Sequence, residues 1–315
     1  MKPIVTLTVN PSIDGAAEAD VVRPIRKIRT SNERYDPGGG GINVARVVQE
    51  LGGATLAIYL AGGVTGGVLD DLLEAVAIAR RRIPIQDHTR ISHAVYERSS
   101  GLEYRFVPEG PSVREAEWRT CLDALEDLDC DYLVASGSLP RGIPDDFYAG
   151  VVDIASRKGA KVVLDTSGEA LRAALDRGGV HLVKPSLGEF EALLGRKLAD
   201  PSRQEEAARD LVRSGAAALV AVTMGRDGAL LASDRGTLRL AAPEVTVKSA
   251  VGAGDSFVAA MTLGVAQGRS PEDAFAYGMA AGAAAVLSAG TGLCRREDVE
   301  RLYGEIKDAP APPDT

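Results

Sequence analysis

The chain has 315 residues, long enough for one large α/β domain or two modest ones. Its 45% hydrophobic and 25% charged content excludes disordered and fibrous classes. A net charge of −8 with no Lys/Arg-rich block argues against nucleic acid or an anionic membrane as the main partner, so an anionic substrate has to be caught by a local basic cluster.

In chain order, "IVTLTV" (4–9) predicts a strand, and the N-terminus has too short an apolar core for a signal peptide. "INVARVVQELGG" (42–53) places Ile42, Ala45, Val48 and Leu51 at helical spacing and stops at two glycines. A strand over 55–63 and a helix over 68–79 follow. "DYLVASG", "KVVLDTS", "VHLVKPS" and "ALVAVTMG" then read as apolar strands ending in small or polar residues, separated by helices such as 145–159 and 201–215. Nearly all-apolar strands of this kind fit a parallel sheet covered on both faces, with ligands gathering beyond the strands' carboxyl ends. Gly137, Lys184, Thr223 and Gly225 lie at such ends.

Two segments, 15–35 and 88–107, alternate without helical periodicity and predict a small antiparallel sheet outside the main one. "MAAGAAAVLSAG" is too short and too rich in Ala and Gly to span a bilayer. Cys121, Cys130 and Cys294 are scattered, with no CxxC pair, which reads as buried thiols in a reducing, cytoplasmic setting. The tail from 308 to 315 is Pro-rich and predicted to be disordered.

Two glycine-rich stretches carry the chemistry. "DPGGGGINVAR" (36–46) puts four glycines before a helix, where backbone can approach a ligand closely; a simple turn explains such a run equally well. "SAVGAGDSFVAAM" (249–261) puts Gly252, Ala253 and Gly254 before Asp255 at the start of an apolar helix. Unpartnered amides at a helix N-terminus favour an anion, and an adjacent carboxylate can take a proton from an attacking alcohol. Taken alone, that aspartate is better explained as an N-cap, worth about 1 kcal/mol. Neither stretch completes GxGxxG, no loop carries GK[ST], and the GxSxG and HExxH motifs are absent.

The motifs "TLTVNPSID", "PGGGGINVAR", "AGGVTG", "SGSLPRGIP", "LDTSGEAL", "LVKPSLGEFEAL", "TMGRDGAL" and "VGAGDSF" occur in an order that resembles the ribokinase-like, or PfkB, sugar kinase family, and within it the 6-phosphofructokinase branch of the Pfk-2 type. The resemblance spans nearly the whole chain. It implies a three-layer α/β/α core with a mostly parallel sheet, made of 1–13, 36–86 and 109–315, and a small antiparallel β lid made of 14–35 and 87–108.

By the same resemblance, Asp255 is the base that deprotonates the sugar hydroxyl, and the amides of Gly252, Ala253 and Gly254 form the anion hole. Glu189 organises Mg²⁺ through water, in a motif where Ser186 replaces the family's Asn. Lys184, Ser186, Thr223 and the Gly225–Gly228 turn face ATP. Asp14, Gly39, Asn43 and Ser138 line the sugar pocket, and Lys27, Arg90 and Arg105 match the lid residues that hold a sugar phosphate. Carbonyls of Ser249, Val251, Ala285, Ser288 and Gly290 match a K⁺ site found in some relatives.

The implied reaction moves the ATP γ-phosphate onto the 1-hydroxyl of fructose 6-phosphate, in a homodimer joined through the lid. GGGG at 38–41, where 1-phosphofructokinases and tagatose-6-phosphate kinases read GGKG, favours that acceptor. Those two acceptors, and a sugar-phosphate sensor without turnover, are the alternatives.

Overall fold

Short β-branched and apolar runs form the strands, and glycines or capped polar residues bound the helices. In the computed structural model, residues 1–308 are described; the Pro-rich tail expected at 308–315 lies, beyond Asp308, outside the described residues. Strands β1 (Ile4–Thr8), β2 (Ser12–Ala19) and β3 (Thr30–Gly38) lead into α1 (Gly40–Glu50). Next come β4 (Thr55–Gly62), α2 (Gly63–Ala75), β5 (Arg80–Ile85), β6 (Arg90–Glu97) and β7 (Leu102–Phe106). The alternation continues with α3 (Glu115–Glu126), β8 (Tyr132–Ser136), α4 (Phe147–Lys158), β9 (Lys161–Asp165) and α5 (Gly168–Arg177). Then follow β10 (Val180–Val183), α6 (Leu187–Leu194), α7 (Pro201–Arg213), β11 (Ala217–Thr223), β12 (Ala229–Ser233) and β13 (Gly236–Leu240). Three helices complete the described residues: α8 (Ala253–Ala266), α9 (Pro271–Ala285) and α10 (Arg296–Asp308).

Nine strands form one sheet in the order β13-β12-β11-β10-β9-β8-β1-β4-β5, parallel from β11 to β5. The two added at the other edge, β12 and β13, are antiparallel. Alternate residues of one strand enter different cores. Leu133, Ala135, Val162 and Leu164 pack under α3, α4 and α5, while Val134 and Val163 join the core with α1, α8, α9 and α10. That two-sided burial is why these strands are continuously apolar.

A second sheet, in the order β3-β2-β6-β7, carries the two segments expected to lie outside the core. Its outer pairings, β2–β3 and β6–β7, are antiparallel. The central pairing, β2–β6, is parallel. The sheet is therefore mixed, because β6 arrives from the main sheet's far edge after β5 and not from a hairpin with β2.

Two boundaries differ from expectation. Helix α2 starts at Gly63, five residues before the predicted 68, and ends at Ala75 where Ala77 takes φ 54°. Residues 80–85 then form the unpredicted strand β5, whose run of three arginines and Pro84 obscured an edge strand.

Candidate active site

Helix α8 begins where the glycines allow it. Gly252 is the N-cap at φ 73°, and a Cβ there would lie 2.4 Å from Leu293 Cδ2. The first intrahelical bond runs from the Ser256 amide to the Gly252 carbonyl at 2.8 Å, so the amides before it have no partner within the helix. Asp255 makes no capping bond. Its Oδ2 instead accepts from Asn43 Nδ2 at 2.9 Å, and the carboxyl faces a cavity of about 310 Å³. The ordinary cap reading of Asp255 is thereby replaced.

Burial, with Asp165 nearby, pushes Asp255 up to about 7; Asn43 and Lys184 oppose that shift and Asp14 adds to it. Asp165 was not singled out in the sequence, although it closes the strand "KVVLD" at the end where ligands gather. It pairs with the buried Lys184 Nζ at 3.1 Å, and its own carboxyl is raised by burial against the pull of Lys184. Burial alone would lower Lys184, yet Asp165, Glu189 and Asp255 hold it above its ordinary value. Lys184 Nζ also lies 3.4 Å from where a Gly254 Cβ would be, so Gly254 opens the helix mouth to the ammonium.

The four-glycine run is no slack turn. A Cβ on Gly38 would meet Asp14 Oδ2 at 2.0 Å, on Gly40 the Ser136 Oγ at 2.1 Å, and on Gly41 the Leu7 carbonyl at 2.6 Å. Gly39 caps α1 at φ 107°. This close approach packs the start of α1 into β1 and β8 and sets Asn43 opposite Asp255.

Asp14, Gly39, Asn43, Arg90, Arg105, Ser138 and Glu189 line the same cavity as Asp255 and Gly252. Asp14 Oδ1 accepts from Ser12 Oγ at 2.5 Å; burial raises its carboxyl, while Ser12, Arg90, Arg105 and Arg46 pull it down. Arg90 is braced by the carbonyls of Pro108 and Asn10, each at 2.9 Å. Asn10 in turn donates to Ser138 Oγ at 3.2 Å. Lys27 does not join this group: it sits exposed on the turn between β2 and β3. Ser92 and Thr291 also line the cavity and carried no sequence signal, being single polar residues outside any recognised motif, while Thr166 and Ser167 line it from within "LDTSGEAL" but were not singled out.

On the other side of the α8 mouth lies a larger cavity of about 610 Å³. Thr223, Gly225, Gly228, Ala253 and Gly254 border it, with apolar walls from Val245, Phe257, Met279 and Ala283. Ser186 lines neither cavity. It is the N-cap of α6, accepting from the Glu189 amide at 3.3 Å while its amide and hydroxyl donate to Glu189 Oε2 at 2.7 and 2.8 Å. Glu189 is thus both a capping-box partner and a cavity carboxylate.

The residues suit the two ions the resemblance implies. Mg²⁺ keeps several waters and binds through few carboxylates plus phosphates, and Glu189 retains a second oxygen beside the α8 mouth. For K⁺, the Lys248 amide donates to the Val286 carbonyl at 2.8 Å, bringing the segment with Ser249 and Val251 against the end of α9 at Ala285. Ser288 Oγ donates to the Leu293 carbonyl at 2.9 Å, and Gly290, at φ 59°, can offer only its backbone oxygen.

The pattern of a pfkB family carbohydrate kinase matches residues 9–298. "ATP-dependent 6-phosphofructokinase isozyme 2" of Mycobacterium tuberculosis is 44% identical over 95% of this chain and 88% of that protein. Its Escherichia coli counterpart is 40% identical over 97% of this chain and 99% of that protein. A 1-phosphofructokinase of Borreliella burgdorferi is 31% identical over 96% of this chain and 97% of that protein. Solved structures of phosphofructokinase-2 from E. coli share the fold with potassium (TM-score 0.94, 39% identity), with fructose-6-phosphate (0.92, 38%) and as a tetrameric inhibited form (0.93, 39%). Each covers 98% of this chain and 100% of that one. With eight motifs in order, a three-layer core and two cavities meeting at one helix mouth, the chain belongs to the pfkB family of carbohydrate kinases.

Proposed function

We propose that this protein transfers the γ-phosphate of ATP to the 1-hydroxyl of fructose 6-phosphate. One observation carries the reading: two cavities of different character open on opposite sides of the same helix N-terminus, with Asp255 facing the polar one and Ala253 and Gly254 bordering the apolar one. The polar cavity, with Asp14, Asn43, Arg90 and Arg105, suits a phosphosugar; the larger apolar one suits a purine nucleotide.

In this reading the sugar hydroxyl lies against Asp255, which takes its proton as the oxygen attacks the γ-phosphorus in line. The bond from that phosphorus to the β-phosphate oxygen breaks and ADP leaves. A carboxyl at about 7 is matched to that task near neutral pH. The free amides from Gly252 to Gly254, with Lys184 beside them, stabilise charge on the migrating phosphoryl group. Mg²⁺, held by the nucleotide phosphates and by Glu189 through water, neutralises phosphate charge when bound. K⁺ suits the backbone carbonyls beside the anion hole, as potassium accompanies the E. coli relative.

The lid strands expose Tyr35, Tyr96, Leu102 and Phe106, which supports a homodimer closed lid to lid. No helix among the described residues is long and apolar enough to cross a membrane. Three free cysteines, Cys121, Cys130 and Cys294, support a reducing, cytoplasmic setting. Sedimentation of Phe106→Asp, expected to give monomers, checks the dimer.

The deciding experiment is an acceptor panel at fixed ATP, scored by kcat/KM, with the product position assigned by NMR. Fructose 6-phosphate is expected to lead. A lead by fructose 1-phosphate or tagatose 6-phosphate would change the acceptor; ligand-induced stabilisation without ADP release would indicate a sensor.

A further inference from the structure

We infer that Arg46 is a positioning residue that fixes the side-chain amide of Asn43, so that its NH₂ group and not its oxygen meets the carboxylate of Asp255. The inference rests on the reading of Asp255 as the base. An asparagine amide has two orientations related by a half-turn, and Asp255 alone does not choose between them. Its carboxylate demands a donor, but its protonated form can itself donate to an amide oxygen. A base that titrates during turnover would therefore let its partner turn over as well.

Arg46 removes that freedom, because a guanidinium has donors only and can face nothing but the amide oxygen. Its Nη1 lies 3.5 Å from Asn43 Oδ1 and donates to the Pro37 carbonyl at 3.0 Å. Its Nη2 lies 3.4 Å from Asp36 Oδ1. Asp36 is itself anchored, accepting from Thr291 Oγ1 at 2.5 Å and lying 3.5 Å from Arg34 Nε. Arg34 reaches on to the Ala289 carbonyl at 2.5 Å. Strand β3 and helix α1 thus meet at one guanidinium, which is 16% exposed, and the loop after α9 anchors its Asp36 partner.

The groups facing Asp255 are Asn43 from α1, Asp165 and Lys184 from the ends of β9 and β10, and Asp14 from β2. Those facing Arg46 are Asp36 and Arg34 from β3 and Asp14 from β2. Of these, Arg46 alone bears on Asp255 through the orientation of an amide.

The test is the pH profile of kcat with fructose 6-phosphate and ATP. Arg46→Met should move the acid limb up by about one pH unit, lowering kcat about tenfold below the limb, with both KM values changed far less. Arg46→Lys, which keeps a donor-only cation, should leave the acid limb close to its wild-type position. In an Asn43→Ala background, Arg46→Met should add nothing. An acid limb left in place by Arg46→Met, or a shift that persists without Asn43, overturns the inference. If the Met variant does not fold, Arg46→Gln, shorter in reach and uncharged, reads the same two outcomes. Asp255→Asn separates the layers: normal turnover there removes the base and the inference together, whereas loss of turnover beside an unmoved Arg46→Met profile removes only the inference.

Discussion

Asn43 donates its side-chain amide to Asp255 Oδ2 over 2.9 Å, joining the two glycine-rich motifs across 212 positions of chain. Neither motif is complete alone. The first supplies the donor that keeps the carboxylate ionised, and the second supplies the carboxylate and the anion hole.

Asp255→Asn should therefore lower kcat by about three orders of magnitude or more with little change in ATP affinity, since general-base catalysis contributes about 10² to 10⁴-fold and the anion hole is untouched. The wild type must hold Asp255 as the carboxylate, so kcat should fall as pH drops through about 7. Steady-state kinetics from pH 5.5 to 9, with nucleotide binding measured separately, checks both.

The same carboxyl has a stability consequence of opposite sense. Its folded value, about 7, lies above its ordinary 3.8, so between those limits the folded state binds the extra proton. Stability is then lost as pH rises through that window, on the order of 4 kcal/mol in full. Asp255→Asn should escape this loss, so its melting temperature should exceed that of the wild type at pH 8 and approach it near pH 4. An equal gap at both pH values would contradict the burial argument.

Close approach at the first motif predicts a contrast between two glycines. Gly41→Ala sets a Cβ 2.6 Å from the Leu7 carbonyl, where the neighbour is backbone and cannot move away, and should cost about 1–3 kcal/mol. Gly188→Ala, on α6 with nothing within 4 Å, should stabilise by about 0.4–1 kcal/mol. Urea unfolding of both variants checks the sign as well as the size.

Occupancy of the two cavities can be separated by one substitution in each. Arg105→Ala should raise KM for fructose 6-phosphate at least about tenfold and leave KM for ATP nearly unchanged, the loss of a charge-assisted contact being worth about 1.5–3 kcal/mol. Arg105 is a cleaner choice than Arg90, whose removal also frees the Pro108 and Asn10 carbonyls. Ala283→Leu, filling the apolar cavity, should do the reverse. Swapped effects would exchange the assigned ligands.

Much of this molecule could be read along the chain. Strands such as "KVVLD" and "YLVAS" are apolar at consecutive central positions because both faces are covered, and a motif like GAGD announces a helix mouth by its missing Cβ atoms. Asp255 was named from its own stretch, and Asp14, Asn43, Arg90, Arg105 and Ser138 through the family resemblance; all six share one cavity. Other features depended on three dimensions. Asp165 beside Lys184, the parallel β2–β6 pairing and the Arg46–Asp36–Thr291 contacts all join residues that no local pattern links. The reason is physical: periodicity and turn chemistry record what each segment does to its own backbone. Charge pairing, desolvation and sheet order arise only when distant segments meet.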